Sequence, residues 1–200
     1  MPNIFEQKQN LRNAFKAIRS NLTKEEVSKK SEQINQNFIT NFLPKIYFRK
    51  SEKIFSLYLS SNNEVSTDLI AQYLQKNNIK FSYPKIVKKN HQLDFILAAK
   101  NQALEPSKFF SNILEPQDGE KVFPDFIILP LLAFDLDLSR LGMGGGFFDR
   151  TIEFIKQKNS SLTTIGLAYD FQRAENKLPF EKTDQKLDFI VTETNIFSAS

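Results

Sequence analysis

A run of glycines in the second half of the chain is the feature best suited to chemistry. Four of the six glycines, Gly142, Gly144, Gly145 and Gly146, lie within five positions. Glycine has no side chain and tolerates positive φ, so a run of glycines lets backbone N–H groups converge on an anion. A helix predicted from about Phe148 would add free N–H donors and a partial positive charge. The run therefore predicts a phosphate-binding loop, and a flexible turn with a helix cap is the alternative.

Charged residues flank this loop. Arg140 and Arg150 could each donate hydrogen bonds to phosphate oxygens. The loop is not the common P-loop, because no Gly-Lys-Ser/Thr follows the glycines. It also lacks the G-x-G-x-x-G spacing that dinucleotide-binding folds place after their first strand. We therefore expect a phosphate site of another type.

The composition excludes several kinds of site. The 200 residues include no cysteine, so the chain has no disulfide, no thiolate metal site and no thiol nucleophile, which fits a reducing compartment. The N-terminus lacks the apolar core of a signal peptide, and no stretch is apolar for long enough to span a membrane. We expect a cytoplasmic protein that does not enter a membrane. A net charge of +4 is small beside 27 basic and 23 acidic side chains, and it is compatible with a nucleotide or a nucleic acid partner.

Two hydrophobic periods predict the elements that must position the loop. Apolar residues at three- and four-residue spacing predict a helix over 4–22. Its core-facing stripe is predicted to be Leu11, Phe15, Ile18 and Leu22. Thr23 and Glu26 have the spacing of a capping box, which predicts the start of a second helical segment that ends at Pro44.

The rest of the chain alternates between strands and helices. Short apolar runs predict strands over 53–59, 79–83, 93–98, 125–130, 163–169 and 187–192, with helices over 67–77 and 148–158. This alternation predicts a three-layer α/β/α fold with a mostly parallel sheet. Ligands bind beyond the carboxyl ends of the strands in such sheets, and the glycine loop falls there. We predict one domain over 1–200, in which a helical hairpin over 1–44 packs on an α/β core over 53–195.

The glycine loop belongs to a longer motif. After Pro130 come Phe134-Asp135, a short gap, and Arg-Leu-Gly-Met-Gly-Gly-Gly-Phe-Phe-Asp over 140–149. This string resembles the signature of the 5-formyltetrahydrofolate cyclo-ligase family. Further segments resemble other elements of that family in the same order: Lys8–Arg12, Leu57–Val65, Ile113–Pro116, and Leu178 with Asp184 and Asp188. The resemblance spans nearly the whole chain, with two departures: Phe147-Phe148 replaces a tyrosine pair and Leu131 replaces a glycine.

The resemblance implies a fold and an activity. The implied core is Rossmann-like and similar to the NagB/RpiA/CoA-transferase-like fold. The family converts 5-formyltetrahydrofolate and ATP to 5,10-methenyltetrahydrofolate, ADP and phosphate, with Mg²⁺ as cofactor. Such phosphoryl transfer depends on positioning and charge neutralisation rather than on a protein nucleophile. The implied partners are ATP and 5-formyltetrahydrofolate, bound by a monomer. Neither a nucleic acid nor a membrane is expected as a partner.

The resemblance also implies the residues of the site. The implied ATP contacts are Lys8, Arg12, Arg140, Leu141, Gly142, Met143, Gly144, Gly145, Gly146, Phe147 and Phe148. Lys8 and Arg140 are the catalytic candidates among them. Leu59 and Glu64 are implied to bind the folate, with Glu64 accepting hydrogen bonds from pterin N–H groups. Asp149 and Asp184 are implied to bind Mg²⁺, which prefers carboxylate and phosphate oxygens.

Each of these roles has a simpler alternative. Lys8 and Arg12 share one helix face, which could be solvated instead of gripping a polyphosphate. Asp149 could be a helix cap, and Glu64 could be an acidic turn residue. The alternative functions are a sugar-phosphate isomerase, which binds phosphate without ATP, and a nucleic-acid-binding module that uses the N-terminal helix. The aromatic residues of that helix fall on its apolar stripe, which argues against the nucleic-acid module.

Overall fold

Helices and strands alternate along the chain after a helical N-terminal segment. The computed structural model describes residues 2–47, 52–99 and 102–199. Its α-helices are α1 (Ile4–Ser20), α2 (Lys24–Asn37), α3 (Leu43–Ile46), α4 (Asp68–Lys76) and α5 (Phe147–Lys156). Its strands are β1 (Phe55–Ser56), β2 (Phe81–Lys85), β3 (Asp94–Leu97), β4 (Leu104–Pro106), β5 (Leu114–Pro116), β6 (Lys121–Val122), β7 (Phe126–Pro130), β8 (Ala133–Phe134), β9 (Arg140–Leu141), β10 (Thr163–Leu167), β11 (Phe189–Val191) and β12 (Ile196–Ser198). None of the helices in these residues is long and apolar enough to cross a membrane.

Capping boxes begin both long N-terminal helices. Asn3 and Glu6 exchange side-chain-to-backbone hydrogen bonds at the start of α1. The predicted pair, Thr23 and Glu26, does the same at the start of α2. These bonds satisfy N–H groups that the first turn of a helix leaves free. Local sequence therefore sets where both helices begin.

The second helical segment continues past Pro44, where the sequence predicts its end. α2 leads through a π-helical turn, Phe38–Phe42, into α3. Pro44 lies in the first turn of α3, where a missing N–H and a fixed φ are tolerated. The buried rings of Phe38 and Phe42 join the core that contains Phe55 of β1, which anchors the segment on the sheet.

The predicted mostly parallel sheet is confirmed. Within the described residues, eight strands form it in the order β12-β11-β10-β7-β1-β2-β3-β6. The five inner strands from β11 to β2 are parallel. β12 and β3 pair antiparallel with this inner group, and β6 pairs antiparallel with β3. The carboxyl ends of the central strands therefore meet at one edge of the sheet.

Alternate residues of β7 show that the sheet is covered on both faces. Phe126 and Ile128 belong to the core that includes residues of α2 and α4. Ile127 and Leu129 belong to a second core, which includes Ile152 of α5. A strand buried on both faces is expected to be apolar throughout, as β7 is. The α/β class predicted from the sequence is therefore confirmed, with helices on each side of the sheet.

The sheet differs from the prediction in several places: β1 covers only Phe55–Ser56 of the predicted 53–59, and β12 was not predicted. β2 does not end before Pro84 but runs through it to Lys85. Pro84 lies beyond Ser82, the last residue of β2 that pairs with β1, so it has a strand partner only in β3. A proline is tolerated at such an edge. The segment after residue 100, which lacks a clear period, forms the antiparallel pair β4–β5 and the short strand β6.

Leu131 is the residue that replaces a glycine in the motif resemblance, and the structure shows what accommodates it. Its side chain is buried in the core beside α5 and lies over Gly166 of β10. A Cβ added at Gly166 would come within 2.7 Å of Leu131 Cδ2 and 2.8 Å of Leu187 Cδ1. The space above Gly166 is therefore already filled.

We predict that Gly166→Ala lowers the free energy of unfolding by about 1–3 kcal/mol, because overpacking forces neighbouring side chains to move. Urea denaturation measures the change. Gly142→Ala is the control, since its added Cβ meets nothing within 4 Å. The double variant Gly166→Ala/Leu131→Ala should lose less stability than the sum of the two single variants, because it removes one of the two closest contacts. Equal stability of the Gly166→Ala and Gly142→Ala proteins would contradict the prediction.

Candidate active site

One cavity of about 570 Å³ lies at the carboxyl ends of the central strands. Its lining includes all the residues that the resemblance implies, namely Lys8, Arg12, Leu59, Glu64, the segment 140–149 and Asp184. The structure thus brings together side chains from four separate parts of the sequence. Their individual roles stay predictions.

Helix α1 forms one wall of the cavity because its apolar side packs on the β8–β9 hairpin. Leu11 and Phe15 contact a small core made of Ala133, Leu141 and Leu178. This contact places the basic residues of α1 over the strand ends. Arg12 Nε donates to Gly142 O at 3.0 Å, which joins α1 directly to the glycine loop.

The predicted apolar stripe of α1 is wrong at Ile18, which is 48% exposed. The residues that α1 buries are Lys8 and Arg19, which are 6% and 3% exposed. Burying a charge is destabilising unless a partner compensates for the lost water. Lys8 has such partners, because its Nζ lies 2.6 Å from Glu181 Oε2 and also contacts Asp184 Oδ2. The basic face of α1 is therefore not a solvated face.

The glycine loop needs glycine at two positions. Gly144 has φ of +98°, and a Cβ there would lie 3.3 Å from Arg12 Cζ. Gly146 has φ of +62° and is the N-cap of α5. Residues that have a side chain rarely adopt either of these backbone conformations. Glycine therefore lets the loop turn sharply and lets Arg12 approach it closely.

A second arginine closes the loop from the other side. Arg150 Nη2 donates to Gly145 O at 2.7 Å, and its guanidinium lies over the ring of Phe147 at 5.3 Å. Its Nε is buried without a hydrogen-bond partner among the described residues. Arg150 thus supports the loop in the structure, and its unpaired Nε–H adds to the donors near the N-terminus of α5.

Arg140 is held beneath the loop by the acidic start of α5. Arg140 Nη2 donates to Asp149 Oδ1 at 2.8 Å, and Nη1 donates to Gln185 O. Burial lowers the pKa of the Arg140 guanidinium, while Asp149 and then Asp184 oppose this effect. The contact with Asp149 favours the ionised guanidinium of Arg140 and holds it in a fixed orientation at the cavity wall.

Asp135 shapes the turn that leads into the loop. Its Oδ1 accepts hydrogen bonds from the backbone N–H groups of Asp137 and Ser139, both at 3.0 Å. Its Oδ2 accepts from Leu178 N at 2.8 Å, which ties the turn to the segment that precedes Asp184. A buried carboxylate with three N–H donors is well satisfied. The Phe-Asp pair of the motif therefore has a structural role.

Glu64 lies at the other end of the cavity, in the loop that follows β1. Ser61 N donates to Glu64 Oε2 at 3.0 Å, and Glu64 Oε1 lies 4.0 Å from Arg19 Nη1. Burial raises the pKa of the Glu64 carboxyl, against the opposing effects of the Ser61 N–H and of the Arg19 charge. Leu59 lines the same end. This end of the cavity therefore offers a buried acceptor beside a cation and apolar surface.

The β4–β5 hairpin covers part of the cavity. Glu115 is buried, and its Oε2 accepts a hydrogen bond from Ile86 N at 3.0 Å, which fixes the hairpin beside β2. The ring of Phe110 meets that of Phe147 edge to face at 6.0 Å. The hairpin thus contacts both the end of β2 and Phe147, the residue that follows the glycine loop.

The two aspartates implied as metal ligands already have partners. Asp149 uses Oδ1 for Arg140 and Gln185 N, and Asp184 uses Oδ2 for Lys8 and Glu181 N. The second oxygen of each carboxylate accepts no hydrogen bond from the described residues. Among these residues no group of three or more acidic or histidine side chains could hold a metal ion. Two carboxylate oxygens on residues that line one cavity still fit a hard cation that takes its other ligands from a phosphate and water.

Comparison with known proteins decides the family. A family model described as the 5-formyltetrahydrofolate cyclo-ligase family matches residues 4–193. The chain belongs to this family. The 5-formyltetrahydrofolate cyclo-ligase of Haemophilus influenzae is 34% identical over 188 residues, which cover 91% of this chain and 95% of that protein. The NMR structure of Aquifex aeolicus 5,10-methenyltetrahydrofolate synthetase has a TM-score of 0.78 at 31% identity and covers 96% of this chain and 92% of its own.

A second solved structure agrees with this cyclo-ligase assignment. The 5,10-methenyltetrahydrofolate synthetase of Mycoplasma pneumoniae has a TM-score of 0.72 at 27% identity, and the match covers 93% of this chain and 98% of that one. The family resemblance predicted from the motifs is therefore confirmed, and with it the expectation of an enzyme. The finer fold name and the residue roles stay predictions.

The sequence-based site of this cyclo-ligase lacks two buried charged residues that line the cavity, Arg19 and Glu115. Arg19 lies eleven and seven positions after Lys8 and Arg12, which a helix places on the same face. That periodicity could have included Arg19 in the site. No local signal in the sequence indicates that Glu115 caps a strand 29 residues away.

We predict that Asp135→Ala lowers the free energy of unfolding by about 2–5 kcal/mol, because it leaves three N–H donors without their acceptor. Thermal and urea denaturation measure this loss. Asp137→Ala is the control in the same turn, since the side chain of Asp137 is exposed and pairs with the exposed Lys177. A destabilisation no larger than that of the control would refute the role of Asp135 in shaping the turn.

Proposed function

We propose that this protein converts 5-formyltetrahydrofolate and ATP to 5,10-methenyltetrahydrofolate, ADP and phosphate. The observation that carries the proposal is a single cavity with basic residues and a glycine loop at one end and the buried Glu64 at the other. A nucleotide phosphate suits the first end, and a ring with N–H donors suits the second. Membership of the cyclo-ligase family supports the same reaction.

The triphosphate is proposed to lie between α1 and the glycine loop. Lys8, Arg12 and Arg140 all line this end of the cavity and come from different segments. The free N–H groups at the start of α5 support the same placement, because helix N-termini bind anions in other proteins. Phe147 and Phe148 are proposed to pack against the bound ligands, without the hydroxyl groups of the family's tyrosine pair.

The chemistry needs a good leaving group on the formyl carbon. The formyl oxygen attacks the γ-phosphorus of ATP, the bond from that phosphorus to the ADP oxygen breaks, and ADP leaves. N10 then bonds to the formyl carbon, the carbon–oxygen bond breaks, phosphate leaves, and N10 loses its proton. Lys8 and Arg140 would stabilise the charge on the transferring phosphoryl group, which is the main task of a protein in such reactions. Glu64 and Leu59 would hold the folate ring so that its formyl group faces the phosphate.

Mg²⁺ is the proposed cofactor, with Asp149 and Asp184 as its protein ligands. Each has one carboxylate oxygen to offer, and Arg140 lies close enough to both for their charges to act on it. Mg²⁺ bound there with the nucleotide would offset the negative charge of the phosphates. Because the described residues provide no larger acidic cluster, these two ligands fit an ion that arrives with ATP.

One chain is proposed to be sufficient for the reaction. The described residues of a single chain line both ends of the cavity, so the site needs no residue from a second copy. We place the reaction in the cytoplasm and expect no nucleic acid or membrane partner.

We predict that the purified protein forms methenyltetrahydrofolate from 5-formyltetrahydrofolate only when ATP and Mg²⁺ are both present. The absorbance of the product measures turnover, and release of ADP should require the folate. Arg12→Ala should raise KM for ATP about 10- to 100-fold, as expected for a lost hydrogen bond to a charged group. Lys16→Ala, on the same helix but outside the cavity lining, is the control. ATP hydrolysis without any folate requirement would exclude the proposed reaction.

We predict that folate binding depends on the ionisation of Glu64. Burial raises the pKa of the Glu64 carboxyl. The affinity for the folate should therefore be highest above that pKa and should decline as the pH falls through it. This decline should begin at a higher pH than it would for an exposed glutamate. Arg19, Tyr58 and Tyr169 are the other charged or titratable groups that act on Glu64. Glu64→Gln should weaken folate binding about 10- to 100-fold and remove this pH dependence, while ATP binding stays unchanged.

Titration calorimetry across the pH range measures both effects. Glu32→Gln is the matched control, because Glu32 is exposed on α2 and does not line the cavity. Equal losses of ATP and folate affinity in Glu64→Gln would count against a folate-specific role.

A further inference from the structure

Arg19 is a buried cation whose donors the protein leaves largely unused. Its side chain is almost fully buried and lines the cavity from the last turn of α1. Among the described residues, its guanidinium pairs with Leu131 O at 3.4 Å and Glu64 Oε1 at 4.0 Å, both long contacts. A guanidinium has five N–H donors, and since no Arg19 nitrogen is among the fully buried unpaired atoms of the described residues, the donors without a partner are open to the cavity. The unused donors indicate a ligand that brings acceptors.

Hydrogen bonds to the backbone hold Arg19 and Glu64 at their distance, and an ion pair between the two side chains does not. Asn63 Nδ2 donates to Arg19 O at 3.1 Å and to Leu22 O at 2.9 Å, which docks the loop after β1 on the end of α1. Ser61 N holds Oε2 of Glu64, so Oε1 is the oxygen nearer Arg19. A cation and a carboxylate oxygen are thus held side by side without closing into a tight ion pair.

The surroundings of this pair suit a ring rather than a phosphate. Leu131, whose carbonyl oxygen contacts Arg19, lines the cavity, and Tyr58 lies close enough for the charges of Arg19 and Glu64 to act on it. Tyr58 Oη is already used as a donor to Val65 O at 2.7 Å. In such a site a polar mismatch is strongly disfavoured, because a buried donor or acceptor left unpaired has no water to replace its partner.

We propose that Arg19 is a further substrate-binding residue, which donates to the 4-oxo oxygen of the folate ring while Glu64 accepts from the neighbouring ring N–H. The inference rests on the proposed function and names two adjacent contacts of the same substrate. The lactam edge of a pterin presents a C=O acceptor beside an N–H donor, which matches a guanidinium beside a carboxylate. Arg19 also opposes the rise that burial causes in the pKa of Glu64, so it favours the ionised acceptor.

The test compares two ligands that differ along the lactam edge, because the analogue has an amino group in place of the 4-oxo acceptor and a ring nitrogen without a proton in place of the neighbouring N–H. Titration calorimetry measures binding of 5-formyltetrahydrofolate and of its analogue with an amino group in place of the 4-oxo group. A non-hydrolysable ATP analogue and Mg²⁺ are present, and the pH is held on the alkaline side, at about 8.5, to favour the ionised form of Glu64 in every variant. The variants are Arg19→Met, Arg19→Lys, which keeps the charge but not the planar fork, and Lys16→Met as the control outside the cavity.

Arg19→Met should weaken binding of the 4-oxo ligand about 10- to 100-fold and leave the 4-amino ligand within about threefold, because the latter has no 4-oxo acceptor. The ratio of the two affinities therefore shifts at least about tenfold. Arg19→Lys should shift it less, and Lys16→Met should not shift it. A purely structural role would weaken both ligands equally, and that result, or an unchanged ratio, overturns the inference. If the wild-type protein neither binds nor converts 5-formyltetrahydrofolate, the proposed function itself fails.

Discussion

Buried positive charge on the first helix is the constraint that organises this structure. α1 keeps Ile18 in water and places Lys8 and Arg19 inside the protein, which is unfavourable unless the core supplies partners. Those partners come from distant segments: Glu181 and Asp184 for Lys8, Glu64 and the carbonyl of Leu131 for Arg19. The helix is therefore positioned by polar contacts with the loops at the strand ends as well as by its apolar side. Moving α1 would disturb both ends of the cavity at once.

The periodic elements and the glycine loop were predictable from the sequence because they depend on local patterns. Both capping-box positions, the apolar strand β7 and the run of glycines have short-range physical causes. The stripe on α1 was wrong at Ile18 because a period assigns burial by hydrophobicity, and here long-range ion pairs decide which face is buried. The continuation of the helical segment past Pro44 could not be predicted from the proline alone. A proline can end a helix or lie in its first turn, and Pro44 lies in the first turn of α3.

Long-range contacts account for what the sequence left open in the site. The segment around β4 and β5 has no clear period, and its hairpin is fixed by Glu115 on the backbone of Ile86 and by Phe110 on Phe147. The same holds for Leu131, which fits only because Gly166 leaves room in another strand. Such pairs are visible only when the strands are adjacent. The family motif identifies the loop that carries the site, whereas the three-dimensional arrangement shows which carboxylates and cations already neutralise one another.

The double contact of Lys8 with Glu181 and Asp184 has a consequence for how an anion enters. The ammonium group of Lys8 is already paired with two carboxylates, so it does not form an unoccupied basic pocket. A phosphate that attracts Lys8 must compete with both, so the gain is only the difference between the new interaction and the old ones. The two carboxylates released in this exchange would then lie side by side without a counterion. A polyanion should therefore bind together with a cation that replaces Lys8 beside them.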